Sequence, residues 1–261
     1  MKSEVRIFLA GDSTVQSFDE DSRPQAGWGE KLCAAMSGIE PEVSRPQDVP
    51  FDQVRRYVVP GLTVENHAKF ARSSRTFWEE GRLDCLEQRL RPGDFLFMQF
   101  SHNDANREKK ERYVPAEEFE SWLLRYVDVC RKRRAACVLV TPIVMRDFDA
   151  LGHLHFSFPE YRQVMLKMAE KGIAPVLDLG AVTREYCEQL GPEKTKEIFL
   201  WAEQGEYPCG KYCGGVEDNA HLQEKGAEVF AGLLVREILA SGEEALAPLK
   251  KYLEEKENCR C

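Results

Sequence analysis

The chain has 261 residues, of which 43% are hydrophobic, 31% charged and 10% aromatic, with 36 Lys and Arg against 44 Asp and Glu for a net charge of −8. That composition belongs to a folded globular protein and excludes a disordered, collagen-like or disulfide-stapled chain. The acidic balance excludes a nucleic-acid binder, which carries a concentrated basic face, and no run approaches the roughly 18 apolar residues of a membrane helix.

Taken in chain order, short apolar runs alternate with longer amphipathic stretches, the pattern of βα units and a mainly parallel sheet. Strands are predicted at Val5–Ala10, Leu62–Asn66, Asp94–Phe100, Cys137–Thr141 and Ala174–Asp178. Helices are predicted at Gly29–Met36, Trp78–Leu90, Ala116–Arg134, Pro159–Lys171, Val182–Leu190 and Glu224–Ala240. The first strand begins almost at Met1 and carries charges where a secretion signal would be apolar, so a cytoplasmic protein is expected. Ser37–Pro60, polar and Pro-containing, reads as a long surface loop inserted in one α/β domain spanning residues 1–261. Residues 242–261 read as a C-terminal appendage with a weak helical period.

Several polar clusters have bland readings. Arg131-Lys132-Arg133-Arg134 suits the negative end of a helix dipole. Cys33, Cys85, Cys130, Cys137 and Cys187 lie in apolar or helical contexts, where Cys acts as a small hydrophobe. Cys209/Cys213 with Cys259/Cys261 lack the tight two-residue spacing of a zinc site, and His153/His155 has no carboxylate cluster beside it, so no metal is expected.

In a parallel sheet, ligands bind beyond the carboxyl ends of the strands. Ser13 follows the first predicted strand in Gly11-Asp12-Ser13-Thr14, and a serine between strand and helix presents its hydroxyl beside free backbone N–H groups. The donor-rich Asn66–Phe77 follows the second strand. Ser101-His102-Asn103-Asp104 follows the third, where an Asn amide can point at an oxyanion. Asp218 and His221, three apart before the last helix, can share a face, so that the carboxylate orients the imidazole.

These blocks, in this order, resemble the SGNH (GDSL-type) hydrolases, and specifically their rhamnogalacturonan acetylesterase branch. The resemblance extends to Gly27-Trp28-Gly29, Arg72-Ser73-Ser74-Arg75, Val140-Thr141-Pro142, His155 with Phe158-Pro159, and the stretch from Leu190 to Pro208. It implies a flavodoxin-like three-layer α/β/α sandwich with a roughly five-stranded parallel sheet. It further implies Ser13 as nucleophile, His221 as base and Asp218 as its partner. The oxyanion hole would be the Ser13 and Ala71 N–H groups with the Asn103 amide, and Asp12, Trp28, Arg72, His102 and Trp201 would contact substrate. The implied substrate is an acetylated oligosaccharide, with no cofactor. The branch usually has Gly where this chain has Ala71 and Ser101, and Thr where it has Ala220; a positive φ at position 71 would strain Ala by about 1 kcal/mol.

Overall fold

A computed structural model describes residues 4–207 and 210–258. In chain order the elements are β1 (Val5–Gly11), β2 (Gln25–Ala26), α1 (Trp28–Ser37), β3 (Glu42–Ser44), β4 (Arg55–Val59), β5 (Leu62–Asn66), α2 (Ser74–Glu79), α3 (Arg82–Arg89) and β6 (Phe95–Gln99). There follow α4 (Ala116–Arg133), β7 (Ala136–Val140), α5 (Pro159–Glu170), β8 (Val176–Leu177), α6 (Leu179–Lys194), β9 (Phe199–Ala202), β10 (Val216–Gln223), α7 (Glu224–Ala240) and α8 (Ala247–Asn258).

The expected parallel strands are present as β5-β1-β6-β7-β8, and they form three layers with the helices. Successive side chains of a strand point to opposite faces. Ile7, Leu9, Phe95, Phe97, Val138 and Val140 therefore pack with α1, α6 and α7. Their neighbours Phe8, Ala10, Leu96, Met98, Cys137 and Leu139 pack with α3, α4 and α5. Of the five cysteines read as small hydrophobes, Cys33, Cys130, Cys137 and Cys187 are buried and Cys85 is half-buried.

Three expectations are corrected. The sheet has seven strands rather than five, because Ser37–Pro60 is not a loop: β3 and β4 extend the sheet antiparallel beyond β5. Pro60-Gly61, with Gly61 at φ 86°, closes a hairpin that pairs Val59 with Leu62. The single helix expected over Trp78–Leu90 is two, parted at Gly81, which takes φ 73°. A second, antiparallel sheet, β2-β10-β9, stands apart from the first and was not expected at all. At the tail, Leu246, Leu249 and Leu253 join the α1–α7 layer, and Lys256 reaches the Pro60 carbonyl at the amino ends of the strands.

Candidate active site

Beyond β1 the backbone turns sharply at Asp12, whose carbonyl accepts from Val15 and Gln16 N–H. Gly11 permits this turn, since a Cβ there would stand 2.8 Å from the Gln99 carbonyl. The turn does not lead into a helix as expected; α1 begins only at Trp28. A buried relay holds the turn from behind. Trp28 Nε1 donates to Gln99 Oε1 (3.1 Å), Gln99 Nε2 to Thr14 Oγ1 (2.6 Å), and Thr14 Oγ1 to Asp12 Oδ1 (2.8 Å). Burial opposes the Asp12 charge, but His102, whose Nδ1 lies 3.5 Å away, and Thr14 together hold its carboxyl below the usual range.

Ser13, at the apex, meets two residues from the small sheet. Its Oγ lies 2.9 Å from His221 Nε2, and His221 Nδ1 lies 2.7 Å from Asp218 Oδ2. Both partners sit on β10, where the pairing with β9 shifts register between Glu217 and Leu222. That irregularity lets residues three apart face each other, an arrangement a regular strand forbids. Asp218 Oδ1 accepts from the Ala220 and His221 N–H groups (2.7 and 2.9 Å), so the carboxylate is fixed on both oxygens. Partial burial disfavours its charge, yet the His221 contact and these two N–H groups bring its pKa down to about 2. The folded pKa lies below the ordinary 3.8, so this stabilisation is complete above pH 3.8 and is lost as pH falls through about 2. The gap in thermal midpoint between wild type and Asp218→Asn is therefore expected to narrow from about pH 4 to about pH 2; a gap of constant size would contradict the assignment.

The three expected oxyanion donors line the same cleft, of about 560 Å³, as Ser13, Asp218 and His221. The Ser13 and Ala71 N–H groups have no hydrogen-bond partner among the described residues. Asn103 spends one amide hydrogen on the Arg72 carbonyl at 3.1 Å, which orients the amide and leaves the other hydrogen. Ala71 takes φ 61°, the strained conformation its sequence context foreshadowed, and Ser101 takes φ 135°. Ser101 is the more burdened of the two, because its buried Oγ also finds no hydrogen-bond partner among the described residues. Ser101→Gly is expected to stabilise the fold by about 1–2 kcal/mol, read as a thermal midpoint several degrees higher. An unchanged or lower midpoint would sink this account.

Behind Asn103, Asp104 is wholly buried. Burial pushes its carboxyl up to about 7, against hydrogen bonds from the Ser74 N–H and O–H and the Ser101 N–H. Asp104 thereby ties α2 to the Asn103 turn.

The residues expected to touch substrate fare differently. Trp28 is fully buried in the core, and Asp12 is buried beneath Ser13, so neither reaches the cleft. His102 packs edge-on against Phe158, with ring centroids 4.7 Å apart, and both its nitrogens are hidden. Arg72 turns its guanidinium to Glu80 (3.0 Å), and it is its carbonyl that serves the site. Trp201 lines a neighbouring cleft, donates to Asn219 Oδ1 and is covered by Arg146 and Lys196. The cleft wall is instead supplied by Gln16, Phe18, Phe70, Lys69, Arg112, Lys211 and Tyr212. Lys69 and Phe70 belong to the donor-rich block after the second predicted strand, but nothing in the sequence signalled Arg112.

Among the described residues no group of three or more His, Cys, Asp or Glu is placed to hold a metal ion. His153 and His155 face different carboxylates, Glu188 and Asp147, while Cys209, Cys259 and Cys261 lie outside the described residues. No described helix is long and apolar enough to cross a membrane.

No family model matches the chain. It is 35% identical, over 98% of its length, to the Bacillus subtilis rhamnogalacturonan acetylesterase RhgT, of which it covers 97%. It is 32% identical over 90% of its length to the probable rhamnogalacturonan acetylesterase YesY of the same organism, covering 93% of that protein. Among solved structures, Bacillus subtilis YxiM matches 93% of this chain at 25% identity with a TM-score of 0.70, although the chain spans only 58% of YxiM. Axe2, an acetylxylan esterase from Geobacillus stearothermophilus, shares the fold at 18% identity, with a TM-score of 0.59 over 94% of this chain and 98% of that one. Fold, site blocks and full-length similarity converge: the chain belongs to the rhamnogalacturonan acetylesterase family of SGNH (GDSL-type) hydrolases, which are carboxylic ester hydrolases.

Proposed function

We propose that this protein removes O-acetyl groups from carbohydrates through an acyl-enzyme on Ser13, and that its substrates are acetylated oligosaccharides derived from rhamnogalacturonan. The observation that carries the mechanism is the pair of contacts Ser13 Oγ–His221 Nε2 (2.9 Å) and His221 Nδ1–Asp218 Oδ2 (2.7 Å), opening on a cleft with free donors. The named activities of the relatives support the substrate class.

In this reading Ser13 Oγ attacks the acetyl carbonyl carbon while His221 Nε2 takes its proton. Asp218 keeps the other ring nitrogen protonated and balances the imidazolium. The carbonyl oxygen, now an anion, is held by the Ser13 and Ala71 N–H groups and the Asn103 amide. As the tetrahedral adduct collapses, the sugar oxygen leaves with the proton from His221. Water then attacks the acetyl-Ser13 carbonyl, passes its proton to His221, and acetate departs as Ser13 recovers its hydrogen.

The test is acetate release from acetylated pectic and xylan oligosaccharides, with Ser13→Ala alongside. Release from the pectic class, abolished in the variant, is the expected result. Release from xylan fragments alone would overturn the substrate assignment, and full activity in the variant would overturn the mechanism.

A further inference from the structure

Where β10 shifts register, its residues outrun those of β9. Glu217 pairs with Trp201 and Leu222 with Phe199, so Leu200 alone stands opposite Asp218, Asn219, Ala220 and His221. A strand ladder cannot hold such an excess, because the extra residues have no facing partner. Asp218 and His221 therefore take their positions from other contacts. Asp218 Oδ1 supplies one set from within, on the Ala220 and His221 N–H groups. Asn219 is held from outside. Its carbonyl accepts from the Arg146 backbone N–H at 2.7 Å, and its Oδ1 accepts from Arg146 Nη1 at 3.1 Å and Trp201 Nε1 at 3.0 Å.

Arg146 is itself fixed at both ends. It follows the buried Ile143 and Val144 in the segment after β7, where the Met145 N–H donates to Ser157 Oγ at 2.7 Å. At the far end, Nε and Nη2 both donate to the Pro192 carbonyl, at 3.1 and 2.8 Å, next to the point where Gly191, at φ 78°, breaks α6. The guanidinium also lies over the Trp201 ring, 4.8 Å from its centroid. Its rigid planar fork serves the Pro192 and Asn219 oxygens together, which a lysine ammonium cannot reproduce. Neither Arg146 nor Asn219 is among the residues lining the Ser13 cleft, so the contact bears on β10 and not on the cleft contents.

Building on the esterase reading above, we infer that Arg146 is a positioning residue, which pins Asn219 and thereby sets the Asp218–His221 pair in place against Ser13 Oγ. It touches neither His221 nor the ester. Without its fork the excess of β10 keeps the Asp218 contacts but loses its outer anchor, and the 2.9 Å approach of His221 Nε2 to Ser13 Oγ is no longer enforced. A misplacement of about 1 Å at reacting atoms costs roughly a hundredfold in rate.

The experiment measures kcat and KM for acetate release in Arg146→Lys, which keeps the charge and removes the fork, in Asn219→Ala, and in the two combined. Each single variant is expected to lower kcat by about ten- to a hundredfold with KM little changed. Because both act through one contact, the combined variant should lose no more than the worse of the two. Lys196→Met removes the other cation over Trp201 without touching Asn219, and should leave kcat unchanged. A second readout follows, by proton NMR, the far-downfield line of the hydrogen between His221 Nδ1 and Asp218. That hydrogen should exchange with water at least about tenfold faster in both single variants. A merely structural role would lower the thermal midpoint and leave the line and kcat as in wild type. That result, a loss confined to KM, or losses that multiply in the combined variant overturns the inference. Failure of the esterase reading looks different. Wild type would then release acetate from neither acetylated oligosaccharides nor p-nitrophenyl acetate, while the NMR line still decides whether Arg146 holds the pair.

Discussion

Ser13→Ala is expected to lower kcat for acetate release by about a millionfold, with the thermal midpoint close to that of wild type. The argument is one of division of labour. In the proposed mechanism, removing Oγ deletes the atom that forms the acyl bond, but the turn around it is held by Asp12, Thr14 and Gln99, none of which depends on that oxygen. His221 keeps its Asp218 partner, and the Ala71 and Asn103 donors stay where they are. What remains is a cleft that binds and polarises an ester without attacking it, worth roughly 10³–10⁴ over water in a comparable triad hydrolase. A variant within a hundredfold of wild type would mean that His221 drives water directly onto the ester. Mass detection of an acetylated protein, with the mark on Ser13 alone, separates the two routes.

Trp28→Ala is expected to cost about 3–5 kcal/mol, or roughly 10 °C in thermal midpoint for a chain of this size. Trp28 is the largest fully buried side chain, on the first residue of α1, and its backbone N–H reaches back to the Thr14 carbonyl at 2.9 Å. Truncation leaves a cavity in the layer between the sheet and α1. It also strips Gln99 Oε1 of its donor, loosening the relay that ends at Asp12. Were Trp28 a sugar-stacking residue, the same change would raise KM and leave the midpoint alone. Denaturation scans beside Michaelis curves distinguish these outcomes.

The difference between expectation and structure for Trp28 is instructive. Gly27-Trp28-Gly29 was readable as a motif, but its meaning lies in backbone approach. A Cβ at residue 27 would stand 2.4 Å from the Gln16 carbonyl, and one at residue 29 equally close to that of Val15. The motif is a seam between a helix start and the Ser13 turn, with the indole as its plug. Ser13 and Asn103 were legible because parallel strands end in apolar-to-polar transitions, while Asp218 and His221 were legible from their spacing of three ahead of the last helix. The β3–β4 pair was hidden because Arg55–Val59 is short and framed by Pro, Asp and Arg. That Asp218 and His221 sit on a strand was not legible, because a register shift inside a strand depends on the partner strand.

Ser13 belongs to the seven-stranded sheet, while Asp218 and His221 belong to the three-stranded one. Among the described residues the two sheets share no strand pairing, and β10 leads straight into α7, which packs along α1. In the proposed mechanism, proton transfer between Oγ and Nε2 therefore spans a seam between two separately hydrogen-bonded bodies. The free energy that keeps this enzyme active is that of keeping the seam shut, a local opening that can lie well below the cost of unfolding the main sheet. Catalytic endurance and thermal endurance are separate properties in such a molecule, and a substitution that tightens α1 against α7 raises the first without touching any residue that meets the ester.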